Sequence, residues 1–194
     1  MTKLEILNLF CGCAYDGPQF SRPWFWQGDC YATDSTCAIR ITGDVPGVEV
    51  PKGKVPVLDR AFASDIPRPF SVDLTTLPTP EPGPCHLCRG TKKDECRTCY
   101  GAGRHSCLCG DEHECGRCDG LGEVPCDCDG GKVWDTDPIE CGAAGEARVL
   151  IAPRILAKLK ALPGAMVMRC ANSSDVPVVV EFDGGVAVAM RMRK

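Results

Sequence analysis

Ten of the sixteen cysteines fall between Cys85 and Cys128, in five short pairs: Cys85/Cys88, Cys96/Cys99, Cys107/Cys109, Cys115/Cys118 and Cys126/Cys128. Tetrahedral zinc takes two thiolates from each of two tight turns, and few other chemistries ask for thiols at this density and spacing. Cys96, Cys99, Gly101, Gly103, Cys107 and Cys109 recur nineteen residues later as Cys115, Cys118, Gly120, Gly122, Cys126 and Cys128. The segment is therefore an internal duplication. Glycines trail the pairs at Gly90, Gly101, Gly103, Gly120, Gly122 and Gly130. A zinc knuckle bends so that backbone amides face the sulfurs, and residues just past its second cysteine take positive φ, where glycine costs least.

Ten thiolates match two four-cysteine sites with one pair left over, or three sites if a histidine or an outside cysteine completes the last. The expectation is two zinc ions, or three. His86 lies inside the first pair, His105 precedes Cys107, and His113, two residues before Cys115, is the best placed to replace a thiolate. Residues 84–130 carry almost no large apolar side chains, so metal must supply the folding energy of this stretch.

The competing chemistry is a disulfide framework, which needs an oxidising compartment. The opening MTKLEILNLF has one lysine and only a broken apolar run, which is not the pattern of a signal peptide. No stretch approaches eighteen apolar residues, so no membrane helix is expected. The reading is a reduced, cytoplasmic protein.

CRTCYGAG and CGRCDGLG resemble the CxxCxGxG repeat in the cysteine-rich domain of DnaJ-type chaperones and several small relatives, where pairs distant in sequence share each zinc. The pattern departs from that family: two pairs are CxC, the first lacks its second glycine, there are five pairs, and the chain has no HPD tripeptide. The chaperone function does not carry over with the motif.

Around this segment the chain reads as one domain with an insertion, residues 1–83 and 131–194 flanking a cysteine-rich module at 84–130. Pro78, Pro80, Pro82 and Pro84 alternate in a linker expected to run as stiff polyproline II. Over 147–194 the order is strand, helix, strand, strand, strand. ARVLIA is apolar, Pro153 suits a first helical turn, Ile155, Leu156, Leu159 and Leu162 recur at helical spacing, and Asp183-Gly184 marks a tight hairpin. The N-terminal segment follows a degraded version of that order, with a helix over Leu4–Phe10 and strand-like runs PWFWQ, DCYATD and TCAIRIT.

This pattern resembles a single domain of the DNA sliding clamp, built from two β-α-β-β-β halves. YATDSTCAIRI resembles the ATDG and RL strand pair of bacterial β-clamps, with Ser35 in place of the glycine. FDGGVAVAMRMRK is similar to the clamp C-terminal hairpin, with Arg191 in place of proline. Together with the CxxCxGxG insertion, the chain resembles small bacteriophage proteins that combine these parts, which implies an accessory or inhibitory role in the host cytoplasm. The fold class expected is α+β, clamp-like.

Charge divides unevenly. The chain carries a net charge of −4, acidic residues outnumber basic ones nine to six over 84–130, and basic residues outnumber acidic ones eight to three over 147–194. Phosphate contact dominates nucleic-acid affinity, so the acidic module favours a protein partner. If DNA is bound, the candidate contacts are Arg154, Lys158, Lys160, Arg191 and Arg193, as clamp helices imply. A ring of subunits would make the chain a homo-oligomer.

The remaining candidates have plainer readings. Cys11 and Cys13 form a CGC of the kind some thiol-disulfide catalysts use, but free cysteine also packs well in cores. Trp24, Phe25, Trp26 and Tyr31 could stack on bases or anchor a peptide, and equally could fill a core. No GxSxG, P-loop, HExxH or deaminase motif is present. The expected function is binding without catalysis; the rival readings are a zinc-dependent chaperone or thiol-redox protein, and a clamp-like DNA-binding protein.

Overall fold

The computed structural model describes residues 1–12, 20–51, 53, 55–56, 58, 61–62, 70–106, 111–126, 132–142, 148–171 and 176–192. The chain forms two compact units, Met1–Pro80 with Thr136–Lys194, and Glu81–Asp135. The first begins with α1 (Lys3–Leu9), β1 (Trp24–Trp26), β2 (Asp29–Thr33), β3 (Cys37–Thr42) and β4 (Phe70–Asp73). The second carries β5 (Gly83–Pro84), β6 (Lys93–Glu95), β7 (Arg104–Ser106), β8 (Glu112–Glu114), β9 (Glu123–Pro125) and β10 (Lys132–Val133). The first unit resumes with β11 (Ile139–Cys141), β12 (Val149–Ile151), α2 (Pro153–Lys160), β13 (Val167–Cys170), β14 (Val178–Phe182) and β15 (Gly185–Ala189).

Seven strands of the first unit form one antiparallel sheet in the order β1-β2-β3-β15-β14-β13-β4. Two meanders, β1–β2–β3 and β13–β14–β15, meet through their last strands, with Ile39 opposite Ala187. Local chemistry fixes both hairpin turns. Gln27 and Gly28 have φ of 51° and 92°, the left-handed pair that a two-residue hairpin loop needs between Trp26 and Asp29. Asp183-Gly184 closes β14 onto β15 with Phe182 opposite Gly185.

Period-two alternation sorts the sheet's two faces. Ile39, Ile41, Val178 and Val180 join one cluster with Leu7 and Phe10 from around α1 and Leu156 and Leu159 from α2. Ala38, Val179 and Val188 point the other way, into a smaller cluster with Leu58, Ala61 and Phe62 packed against it. The helices start as their sequences dictate. Thr2 and Glu5 make a reciprocal capping box at α1, and Pro153 occupies the first turn of α2.

Alternation sends Phe25 to the larger cluster and puts Trp24 and Trp26 on the opposite face. Trp24 is buried and stacks on Tyr31 with ring centroids 6.1 Å apart, and Phe62 meets Tyr31 edge-on. Trp26 is exposed.

In the second unit, the alternating prolines lead into β5, which pairs with β10. This short ladder ties the two ends of the module together and places Lys132 and Val133 with the module. Among the described residues no helix is long and apolar enough to cross a membrane.

Candidate metal centre

Cys96, Cys99, Cys115 and Cys118 converge so that all four sulfurs lie within 4.8 Å of one another. Cys96 Sγ is 3.8 Å from Cys115 Sγ, and Cys99 Sγ is 3.7 Å from Cys118 Sγ. Zn–S bonds of about 2.3 Å in a tetrahedron put sulfurs about 3.8 Å apart, whereas a disulfide would hold them at about 2.05 Å. The set is spaced for an ion, not for a bridge. None of the four residues is more than 6% exposed.

The duplication seen in the sequence is an interlock in space. The incoming strand of the first repeat, β6, pairs with the outgoing strand of the second, β9, while β7 pairs with β8. Each repeat thereby completes the other's knuckle. The Cys96 amide donates to the Gly122 carbonyl at 2.9 Å, and the Cys115 amide to the Gly103 carbonyl at 2.8 Å. The Gly103 amide points at Cys99 Sγ (3.3 Å) and the Gly122 amide at Cys118 Sγ (3.2 Å). Amide donors aimed at sulfur stabilise thiolate, which is the form that binds metal.

The sequence anticipated positive φ at the glycines, and Gly90, Gly101, Gly103, Gly120 and Gly122 have it. It missed that the preceding position turns left-handed too: Arg89, Tyr100 and Asp119, each directly after a second cysteine, have φ of 49°, 49° and 47°. The signal is the knuckle itself, whose bend begins one residue earlier than the glycine.

The thiols of this set act on one another: against burial, hydrogen bonds from the Thr98 and Cys99 amides and from the Cys99 and Cys115 thiols lower Cys96, while burial and the hydrogen bonds Cys118 shares with Cys99, Cys115 and Cys96 raise Cys118. A second cluster brings Cys85, Cys88 and Cys126 within 4.8 Å of one another, with 3.7 Å between Cys85 Sγ and Cys126 Sγ. Cys107, Cys109 and Cys128 lie outside the described residues, as does Gly130. The two clusters could hold metal ions, and all-sulfur donors at tetrahedral spacing are compatible with zinc. His113 belongs to neither cluster; it is exposed on β8, directly opposite His105 on β7.

Thiols outside the module are of another kind. Burial pushes Cys11 and Cys141 up to about 11 and Cys37 and Cys170 up to about 12, which leaves almost no thiolate at neutral pH for exchange chemistry. Cys13, the partner in the CGC motif, lies outside the described residues.

Of the cations proposed for phosphate contact, Lys158 turns inward and Arg154 stays half exposed. Lys158 Nζ lies 2.6 Å from Asp34 Oδ2, with the lysine side chain 10% and the aspartate side chain 5% exposed, and Arg154 approaches the same oxygen at 3.8 Å. Lys160 donates to the Leu77 carbonyl, and Arg191 to the Ala171 carbonyl at 2.5 Å. Arg193 lies outside the described residues. Lys158, Lys160 and Arg191 thus reach internal partners, while Arg154, 53% exposed, keeps the solvent face that helical spacing suggests.

Asp34 is the residue that sequence reading missed. Its Oδ1 accepts from the Thr36 amide (3.0 Å), the Thr36 hydroxyl (2.6 Å) and the Cys37 amide (2.9 Å), so it both builds the β2–β3 turn and anchors α2. Burial raises its carboxyl, but the Lys158 ammonium and the hydrogen bonds from Lys158, Thr36 and Cys37 outweigh that and hold it at about 2. The Thr33-Asp34-Ser35 turn was the available signal, since aspartate there commonly caps its own backbone.

No protein-family model matches the chain, and no curated protein matches it. Among solved structures, the chain is similar to a Helicobacter pylori beta clamp bound to a DNA ligase peptide, with 10% sequence identity and a TM-score of 0.33. That likeness covers 88% of this chain and 42% of the clamp chain. The chain therefore spans less than half the length of the clamp chain it matches, and the similarity is a weak one.

Proposed function

We propose that this chain is a zinc-organised binding protein without catalytic activity, an α+β scaffold of the clamp kind that carries an acidic zinc module toward a protein partner. The observation that carries the reading is the closure of the Cys96, Cys99, Cys115 and Cys118 set. Four thiolates saturate tetrahedral zinc and leave no position for water or substrate, so the ion is structural. The sequence resemblance to clamp strands and to small bacteriophage proteins supports an accessory or inhibitory role against a host or viral macromolecule.

Exposed Glu95, Glu114 and Asp119 on the module favour a protein over nucleic acid, and the inward-turned Lys158 favours the same choice. The test is capture from the native host by the full chain, repeated with Glu95→Gln, Glu114→Gln and Asp119→Asn together. The reading expects a protein partner that the triple variant loses. DNA binding by the purified chain that falls steeply with salt contradicts it.

One observation favours the chaperone-like alternative. Tyr100 and Leu121, at 82% and 78%, are the most exposed large apolar side chains among the described residues, and both sit on the knuckle loops. Suppression of aggregation by the native chain, lost in Tyr100→Ser/Leu121→Ser, would support that alternative; no suppression removes it.

A further inference from the structure

We propose that the two knuckle loops of the cysteine-rich unit form one docking tip, Tyr100, Ala102 and Leu121 framed by Glu95, Glu114 and Asp119, for a short protein segment in which large apolar side chains alternate with lysine or arginine. The inference rests on the reading that the module faces a protein partner, and deepens it by naming the surface and the kind of sequence that surface takes.

The first observation is how the loops meet. An added Cβ on Gly103 would lie 2.2 Å from the Gly120 carbonyl oxygen, and one on Gly122 would lie 2.2 Å from that of Gly101. The loops therefore run antiparallel in backbone contact, which sets Ala102 opposite Leu121, with Tyr100 one residue beyond. Adding these contacts to the step of about 3.8 Å between successive Cα atoms keeps Tyr100 and Leu121 within about 14 Å of each other, the span of about four extended residues. One short segment can touch both.

The second is what the loops carry. Tyr100 is 82% and Leu121 78% exposed, and Ala102 between them is exposed as well. Tyr100 has φ of 49°, a left-handed conformation that bulky side chains rarely adopt. The second repeat places Asp119 there, with φ of 47°, and aspartate tolerates that conformation better. Leu121 in turn corresponds to Ala102 of the first repeat. Each repeat thus contributes one large apolar side chain, at a different loop position. Neither belongs to the module's described core cluster, which is four thiols with Val124 packed against them. Adjoining apolar side chains that serve no core mark an interaction surface.

The third is charge, which selects the occupant. Glu95 Cγ and Oε1 lie 3.3 and 3.5 Å from the point a Gly101 Cβ would occupy, and Glu114 Cγ and Oε1 each lie 3.8 Å from the corresponding point on Gly120. A carboxylate therefore stands against each loop, and exposed Asp119 adjoins Gly120. Two other acids of these ladders are matched, Glu112 with Arg104 at 3.7 Å and Glu123 with Lys93 at 3.0 Å. Among the described residues Glu95, Glu114 and Asp119 enter no ion pair, and Arg97 and Arg117, the exposed cations inside the two CxxC turns, make none with them. An unmatched negative rim around an apolar centre steers basic segments in and turns acidic ones away, and the exposed face of Tyr100 offers a cation a further contact.

The experiment titrates the full, zinc-loaded chain against three fluorescein-labelled octapeptides: alternating arginine and leucine, alternating arginine and serine, and alternating glutamate and leucine. Anisotropy is expected to show the arginine–leucine peptide binding at least tenfold more tightly than either of the others. Tyr100→Ser/Leu121→Ser and Glu95→Gln/Glu114→Gln/Asp119→Asn should each weaken it at least tenfold and keep the native zinc content, since every substituted side chain is exposed. Proton–nitrogen spectra of the native chain give a readout that needs no variant and decide the matter if a variant loses zinc: the amides of Gly101, Ala102, Leu121 and Gly122 should shift most on addition of that peptide. Equal affinity for the three peptides, no binding of the arginine–leucine peptide, unchanged affinity in a zinc-replete variant, or shifts centred elsewhere overturns the tip. A host protein captured as well by Tyr100→Ser/Leu121→Ser as by the native chain overturns the tip alone and leaves the protein-partner reading standing, whereas a native chain that captures no protein and binds none of the peptides overturns both.

Discussion

Gly103 and Gly122 pack directly against one another's loops, each at a point where a side chain has no room. A Cβ on Gly103 would collide with the Gly120 carbonyl, and a Cβ on Gly122 with the Gly101 carbonyl. Both glycines also have positive φ and aim an amide at a sulfur. One residue type thus meets three demands at once: close approach, left-handed backbone and an amide aimed at sulfur.

Gly103→Ala and Gly122→Ala should each weaken the four-thiol site. Overpacking costs typically 1–3 kcal/mol and a left-handed alanine about 1 kcal/mol more, so zinc affinity should fall by about a hundredfold, 1.4 kcal/mol being tenfold. Competition with a chromophoric chelator measures this. Gly116→Ala, at a position where an added Cβ meets nothing within 4 Å, should leave affinity within a few-fold of the native value.

Asp34 and Lys158 give the first unit an acid-sensitive joint. The Asp34 carboxyl titrates at about 2 in the fold against 3.8 for the ordinary group. A depressed carboxylate contributes stability that is fully present above the unfolded pKa and is lost as pH falls through the folded one. The contribution is about 2 kcal/mol, and it should disappear between about pH 4 and pH 2. Urea midpoints across that range check it. Asp34→Asn should flatten the loss and cost about 3–5 kcal/mol at neutral pH, because it strands the buried Lys158 ammonium; a neutral-pH cost under about 1 kcal/mol contradicts the pairing.

Removal of metal should affect the two units differently. Among the described residues, the cores around Leu156 and Val179 contain none of the module's cysteines, whereas the core cluster of the module is made of four thiols with Val124 packed against them. With a strong chelator at neutral pH, the amides of Cys96 and Cys115 should lose protection from hydrogen exchange while those of Ile39 and Val180 keep it. Equal loss in both sets contradicts a separately folded scaffold.

The sequence makes some of this legible and hides the rest for physical reasons. Pro153, the apolar spacing of Ile155, Leu156 and Leu159, and the turn at Asp183-Gly184 are local signals, and the elements they mark are present in that order. β4 escapes because it is an edge strand with only Val72 buried, and its partner β13 lies far along the chain, with Phe70 opposite Cys170. β11 escapes likewise, being three residues that pair only with β12. Lys158 reads as solvent-facing from helical periodicity because its partner Asp34 is 124 residues away. At the metal centre the duplication reveals the ligands, but not that each repeat's strand crosses to the other, since that depends on contacts between glycine loops that spacing does not encode.

The central claim is that buried, closed thiolate clusters bind zinc and fold the module. Native mass spectrometry of the full chain under reducing conditions tests it most directly. The account predicts at least two zinc ions per chain, lost together with module structure when the pH is lowered and the thiolates are protonated. A chain that carries fewer than two zinc ions, or that keeps the β6–β9 and β7–β8 ladders protected with none bound, contradicts it.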